Sequence, residues 1–202
     1  MVAIIDYGVG NLFSLNASLK KIGVEVTITN DIEEIAKASH IILPGVGAFK
    51  DAAQLLKQHK MDQAIIDNVG KKPILGICLG MQLLFDTSFE HGEHTGLGLI
   101  PGEVVSIKDH LINKELKVPH MGWNKLIKTN PSPILKYTTD EDYVYFVHSY
   151  YARTPKQYIT AVVDYDIEIT ASVQNGLIFG TQFHPEKSGE CGLRILKAFV
   201  EC

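Results

Sequence analysis

Fold and chemistry both turn on the stretch Pro73-Ile74-Leu75-Gly76-Ile77-Cys78-Leu79-Gly80-Met81-Gln82. Its first half is a short apolar run behind a proline, which reads as a buried strand; its second half starts a helix, expected from Leu79 to Phe85. Gly76 and Gly80 bracket Cys78 at the junction. A strand that turns sharply into a helix needs neighbours without bulk, because the apex residue is strained and the flanking backbones approach closely. The apex holds its side chain clear of the sheet, and the helix directs its positive end at it. Thiolate is the reactive form of cysteine, and that field favours it. Glycines around a small residue also occur wherever a helix packs tightly on a strand, so the turn needs partners before it means catalysis.

A second segment supplies them. Gln182-Phe183-His184-Pro185-Glu186-Lys187-Ser188 follows the strand-like run Leu177 to Thr181, which places His184 and Glu186 just past a strand end. In an open α/β sheet that is the edge where sites form. A base and a carboxylate two apart on an extended segment point the same way, and Pro185 between them favours extension. One imidazole nitrogen then faces Cys78 while Glu186 orients the other, the general arrangement for activating a nucleophile. The plain alternative is a surface turn in which Glu186 pairs with Lys187 or Arg194.

With 202 residues, 46% hydrophobic and 21% charged, the chain is long enough for one well-buried domain and short for two, so residues 1–202 are expected to form one domain. A net charge of −4 without a basic cluster argues against nucleic acid or an anionic membrane as partner. Val2-Ala3-Ile4-Ile5 stops at Asp6 with no basic flank, so it reads as a strand and not a signal peptide. No stretch approaches the length of a membrane span. Cys78, Cys191 and Cys202 show none of the pairing of a disulfide framework, which fits a reducing cytoplasm.

The first half alternates apolar runs with amphipathic stretches in the manner of βαβ units. Strands are expected at Val2 to Asp6, Val24 to Thr29, His40 to Leu43 and Pro73 to Ile77. Helices are expected at Asn11 to Ile22, from Asp31 as cap through Lys37, at Ala48 to His59 and over 62–69. Such a sheet is parallel with right-handed crossovers. From Gly92 onward the texture changes to short β-like segments: Gly102 to Lys108, Trp123 to Ile127, Tyr143 to Tyr150 and Tyr158 to Val163, read as hairpins and mixed pairing. A helix at Glu190 to Phe199 closes the chain, with Leu193, Leu196 and Phe199 inward. The fold class is therefore α/β, with a largely parallel central sheet and antiparallel additions in the second half.

Gly76-Ile77-Cys78-Leu79-Gly80-Met81-Gln82, Phe183-His184-Pro185-Glu186 and, between them, Pro44-Gly45-Val46-Gly47-Ala48-Phe49 together resemble the triad-type, class I glutamine amidotransferases. The resemblance covers nearly the whole chain and implies a single flavodoxin-like domain. Three more segments narrow it: Asp6-Tyr7-Gly8-Val9-Gly10-Asn11-Leu12, Pro119-His120-Met121-Gly122-Trp123-Asn124 and Phe146-Val147-His148-Ser149-Tyr150-Tyr151. They are similar to the branch in which the glutaminase is a separate subunit. That branch hydrolyses L-glutamine and passes the ammonia through a tunnel to a cyclase subunit of TIM-barrel type, a heterodimer of histidine biosynthesis. No cofactor or metal is implied.

In that chemistry Cys78 attacks the amide carbon, His184 carries the proton and Glu186 fixes the imidazole. Oxyanion donors are expected from the backbone N–H of Leu79 and from the Val46-Gly47 loop, although a Pro-Gly-x-Gly turn is also ordinary α/β punctuation. A valine between the glycines, where several related enzymes carry glycine, suggests a peptide whose orientation is set by the partner. Gln82, one helical turn past Cys78, is on its side of the helix and is a substrate-binding candidate. The resemblance adds Glu90 for the substrate amino group, with Ser149 and Tyr150 around it. The plain alternatives are a capping Gln82, a solvated Glu90 and a strand end at Ser149-Tyr150. His120 and Trp123, the only tryptophan, are assigned to the docking face. His91 and His94 lack the spacing and setting of a metal site, and His148 lacks a carboxylate two residues away. Competing functions are the glutaminase subunit of another synthase, such as that of pyridoxal phosphate synthesis, a cysteine hydrolase of γ-glutamyl substrates, and a non-catalytic regulatory partner.

Overall fold

A computed structural model describes residues 1–202. Its backbone is an eight-stranded sheet with helices on both faces, and the first four strands of the chain pair in parallel within it. β1 (Val2–Ile5) lies between β2 (Val26–Thr29) and β3 (His40–Leu43), and β4 (Ile74–Ile77) follows β3. α1 (Leu12–Lys21), α2 (Ile32–Lys37), α3 (Phe49–Gln58) and α4 (Met61–Ile66) make the connections. Because both faces are covered, alternate residues of one strand enter different cores: Val2 and Ile4 join Leu15, Leu19 and Phe199, while Ala3 and Ile5 join Ile35, Phe49 and Leu56. That is why these strands read as unbroken apolar runs. Asp31 caps α2 by accepting from Glu33 N at 2.8 Å.

The turn after β4 is α5 (Leu79–Gln82), a single helical turn and not the longer helix expected to Phe85. The carbonyls of Leu83 and Leu84 are taken by the N–H groups of Leu97, Leu99 and Ile100, which draws the chain out into β5 (Phe85–Ser88). β5 pairs with β6 (His94–Thr95) and β7 (Ile100–Ser106), and β7 ends in α6 (Ile107–His110) where a strand was expected to Lys108. The expected strand at Trp123 begins earlier, as β8 (His120–Lys125), with β9 (Ile127–Lys128) behind it. The segment Tyr143 to Tyr150 breaks at Ser149 into β10 (Tyr143–His148), paired with β8, and β11 (Tyr150–Arg153), paired with β7.

β12 (Ile159–Tyr165) and the nine-residue β13 (Ile167–Asn175) form a hairpin, and a second hairpin leads into β14 (Ile178–Thr181), which lies parallel to β4. β13 is absent from the sequence reading, because Glu168, Ser172 and Gln174 dilute its apolar signal; Ser172 and Thr170 are nonetheless buried in the sheet. α7 (Gly189–Val200) buries Ile195, Leu196 and Phe199, with Leu193 only half-buried. No helix is long and apolar enough to cross a membrane.

The elbow has no spare space. A Cβ on Gly80 would stand 1.9 Å from the Leu43 carbonyl oxygen, and one on Gly76 would stand 2.6 Å from the Gly80 carbonyl oxygen. β3, β4 and α5 can meet this closely only with hydrogen at those positions. Gly80→Ala is therefore expected to destabilise the chain by about 3 kcal/mol or more, as overpacking against backbone that cannot yield. Chemical denaturation of the two proteins checks this; an unchanged midpoint would show that the elbow is not packed as described.

Candidate active site

Cys78 stands at the end of β4 with φ +55° and ψ −111°, a conformation rare for a side-chain-bearing residue. Its N–H donates to Thr181 O at 2.7 Å and its carbonyl accepts from Gln82 N at 3.2 Å, so the strained residue is tied to β14 on one side and α5 on the other. His184 follows β14 directly. Its own backbone N–H donates to Tyr145 O at 3.0 Å, and Ser188 Oγ donates to its carbonyl at 2.7 Å. Adjacency of β4 and β14 thus brings together residues separated by more than half the chain.

His184 Nδ1 lies 2.9 Å from Glu186 Oε1, both side chains being almost fully buried. The geometry differs from the extended segment expected: Pro185–Lys187 is a 3-10 turn, begun by the proline at its first position. The turn folds the carboxylate back onto the ring, reaching by curvature the contact that alternation was expected to supply. Nε2 of His184 is buried and has no aligned hydrogen-bond partner. Burial alone lowers the imidazole pKa, but the Cys78 sulfur and then the Glu186 carboxylate outweigh it and raise it from 6.5 to about 10.

Both groups open on one cleft of about 320 Å³, large enough for a free amino acid. Its lining unites Cys78, Leu79 and His184 with Val46, Gly47, Gln82, Glu90, Ser149 and Tyr150. The backbone N–H of Leu79 and those of Val46 and Gly47 make no hydrogen bond within the chain. Gly47 has φ +101°, so the 46–47 peptide has a conformation a larger residue would resist. Glu90 Oε2 accepts from Phe49 N at 2.6 Å, which anchors the acid against the first turn of α3. Gln82 does not cap: its Nε2 donates to Tyr150 O at 2.9 Å and to Gln182 Oε1 at 3.0 Å.

His148 lines the same cleft, and burial drives its pKa down; the Tyr150 carbonyl opposes and the charges of His120 and His184 add, leaving it at about 3. Nδ1 of His148 donates to Tyr150 O at 2.8 Å. Two histidines of one cleft are therefore set at opposite ends of their range, and only His184 has a carboxylate behind it.

His120 is not on the surface as assigned. It is 1% exposed, its ring packs on Phe146 and Tyr165, and Nδ1 lies 2.9 Å from His148 Nε2. The cause is strand alternation: on β8, Met121 and Trp123 point outward, 60% and 53% exposed, and His120 points in. No group of three or more His, Cys, Asp or Glu is arranged to hold a metal, His91 and His94 included.

Two residues of this region escaped the sequence reading. Tyr7, buried, donates its hydroxyl to Pro44 O at 2.7 Å and pins the root of the Gly45–Gly47 loop; burial, then the Cys78 charge, raises its pKa. Gln182, also buried, has Nε2 3.7 Å from Cys78 Sγ. The signal for Gln182 lies in register: Thr181 pairs with Ile77, so the next residues on these strands, Gln182 and Cys78, are neighbours.

A strained cysteine on a strand-to-helix elbow, backed by a buried His–Glu pair, defines a nucleophile-type α/β site. The chain belongs to the glutamine amidotransferase class-I family, whose model matches residues 3–202. It is 48% identical over all of its length to imidazole glycerol phosphate synthase subunit HisH of Listeria monocytogenes serotype 4a (strain HCC23), covering 95% of that protein. It is 47% identical to the subunit of the same name in Bacillus cereus (strain G9842), over 98% of this chain and 93% of that one. Among solved structures it superposes on PurLQS from Thermotoga maritima with a TM-score of 0.76 at 20% identity, covering 99% of this chain and 97% of that one. A crystal structure of a glutamine amidotransferase gives 0.76 at 18%, covering 100% and 98%. These two likenesses establish the shared fold.

The His184 pKa is open to direct test. Because its folded value exceeds the unfolded 6.5, protonation of His184 stabilises the fold. That contribution is complete below about pH 6.5 and is lost as pH rises through about 10. In Cys78→Ala the sulfur is gone and burial remains, so the ring titrates at lower pH than in the wild type, as NMR of its ring carbons would read. A titration point that stays put or moves up contradicts the coupling.

Proposed function

We propose that this chain is the glutaminase subunit of imidazole glycerol phosphate synthase, hydrolysing L-glutamine to glutamate and ammonia at Cys78. Its reading as one amidotransferase domain over 1–202 rests on the family match, which covers residues 3–202, and on an eight-stranded sheet built from strands of both halves of the chain. The observation that carries the chemistry is Cys78, on its strained elbow, sharing a cleft with a buried imidazole that is paired with Glu186 on its far side.

The amide of glutamine is a poor electrophile with a poor leaving group, and covalent catalysis divides the problem. With the Cys78 proton held on His184 by its raised pKa, the sulfur adds to the amide carbon, and the carbonyl electrons move to oxygen. The free N–H of Leu79 and one from Val46-Gly47 are the donors proposed for that oxyanion; a donor of this kind is worth about 3 kcal/mol of barrier. The C–N bond breaks as His184 returns its proton to nitrogen, releasing ammonia and leaving a glutamyl thioester. Water, deprotonated by His184, then attacks the thioester and frees glutamate. Glu186 holds the ring and stabilises its charged form. Glu90 takes the substrate ammonium, Gln82 offers its side-chain oxygen, and Ser149 and Tyr150 shape the remaining wall.

Ammonia released in the cleft is passed to a TIM-barrel cyclase subunit in a heterodimer, with the outward Trp123 on its docking face and the cytoplasm as its compartment. His120 acts from behind that face and not on it.

Glutamate release is the test. The isolated chain is expected to turn over slowly, because the Val46-Gly47 peptide awaits its partner; adding the cyclase subunit raises the rate strongly, and Cys78→Ala abolishes it. Activity surviving Cys78→Ala ends the mechanism, and equal rates with and without the cyclase subunit end the partner-set loop. Trp123→Ala is expected to weaken association at least tenfold by calorimetry, with basal hydrolysis intact; unchanged affinity removes Trp123 from the interface.

A further inference from the structure

The sulfur of Cys78 has two polar neighbours that the catalytic scheme leaves unused. Val147 O lies 3.9 Å from Sγ, placed to accept the S–H, and Gln182 Nε2 lies 3.7 Å from it. Gln182 is 0% exposed, so its amide has no water to satisfy it and must find its partners inside the protein.

Those partners fix which end of the amide faces the sulfur. The Tyr150 carbonyl can only accept, so the end of Gln82 that lies 2.9 Å from it is the nitrogen. The second hydrogen of that nitrogen points at Gln182, 3.0 Å away, and requires an acceptor there. Gln182 therefore presents its oxygen to Gln82 and its N–H to Cys78. Reversing either amide would set two donors or two acceptors against each other in a buried place. Donation thus runs outward from Gln82, on one side to Tyr150 O and on the other through Gln182 to the sulfur.

We propose that Gln182 is a positioning residue for this reaction: its Nε2–H donates to the Cys78 sulfur and holds the thiolate once its proton has passed to His184. The proposal rests on Cys78 being the nucleophile. A hydrogen bond to a charged acceptor is shorter and stronger than one to a neutral acceptor, so the Gln182 contact tightens as the proton leaves. The Val147 contact does the opposite, since a carbonyl oxygen attracts S–H and repels a bare sulfur. Gln182 thus gives the thiolate a fixed place from which to attack, and Val147 O is the group that turns away as the proton leaves.

The test is the pH dependence of Cys78 alkylation by iodoacetamide on the full chain, read by peptide mass spectrometry so that Cys191 and Cys202 are counted separately. Gln182→Met keeps the length and bulk of the side chain and removes the donor. Its alkylation midpoint is expected to rise by about one pH unit, a roughly tenfold change in the thiol–thiolate equilibrium, with kcat/KM for glutamine falling. An unshifted midpoint in a folded variant overturns the proposal. Should Gln182→Met fail to fold, the side-chain 15N–1H signals of Gln182 in the wild-type chain decide: they are expected to shift with the same midpoint as alkylation, and signals that do not move overturn it. Alkylation is read without turnover, so this result stands apart from whether Cys78→Ala abolishes glutamate release.

Discussion

The close approach of three backbone segments at the β4–α5 elbow is the constraint on which the rest depends. Leu43 of β3, Gly76 of β4 and Gly80 of α5 lie so near one another that no side-chain carbon fits between them. With the chain forced to turn there, Cys78 is left at φ +55°, a placement that costs on the order of 1–3 kcal/mol for a residue other than glycine. The hydrogen bonds to Thr181 and Gln82 and the two packed cores hold it there. What results is a sulfur lifted off the end of the sheet at the entrance to the cleft, reachable from β14 and from the 46–47 loop.

Everything else about the site follows from which strands adjoin β4. β14 is its parallel neighbour, and the chain leaving β14 carries Gln182, His184 and Glu186 in a few residues. β3 adjoins it on the other side, and the chain leaving β3 carries Pro44 to Gly47, secured by the Tyr7 hydroxyl from the end of β1. β10 and β11 add a wall from which His148 and Tyr150 reach inward. The two cleft histidines show how surroundings, and not residue type, set chemistry: both are buried, but His184 has a sulfur and a carboxylate beside it that outweigh burial and raise it, while His148 has no such partner and burial lowers it.

Much of this was legible from the chain itself, for identifiable reasons. Buried parallel strands are continuous apolar runs, so β1, β3 and β4 announced themselves, and the glycines around Cys78 gave away the elbow. The contact of His184 with Glu186 was foreseen, though by the wrong geometry, because proline at the start of a 3-10 turn and proline in an extended segment are alike in sequence. β13 was hidden because its inward polar residues, Thr170 and Ser172, are buried within a sheet and do not read as apolar. The break of the Tyr143 to Tyr150 segment at Ser149 was hidden because pairing with two different partners is a property of the whole fold. His120 was misplaced for a related reason: the parity of a strand cannot be set until its partner is known, and β10 puts His120 opposite the buried His148. Gln182 and Tyr7 lie within segments the sequence singles out, but their contacts become visible only when register and distance are given.

Trapping the intermediate tests the central claim most directly. The chain, mixed with glutamine during steady turnover and quenched in acid, is predicted to carry a glutamyl group on the peptide containing Cys78, and on no other peptide, in its mass spectrum. Steady turnover with the glutamyl group on a different residue, or with Cys78 unmodified throughout and fully reactive to alkylation, would contradict the account.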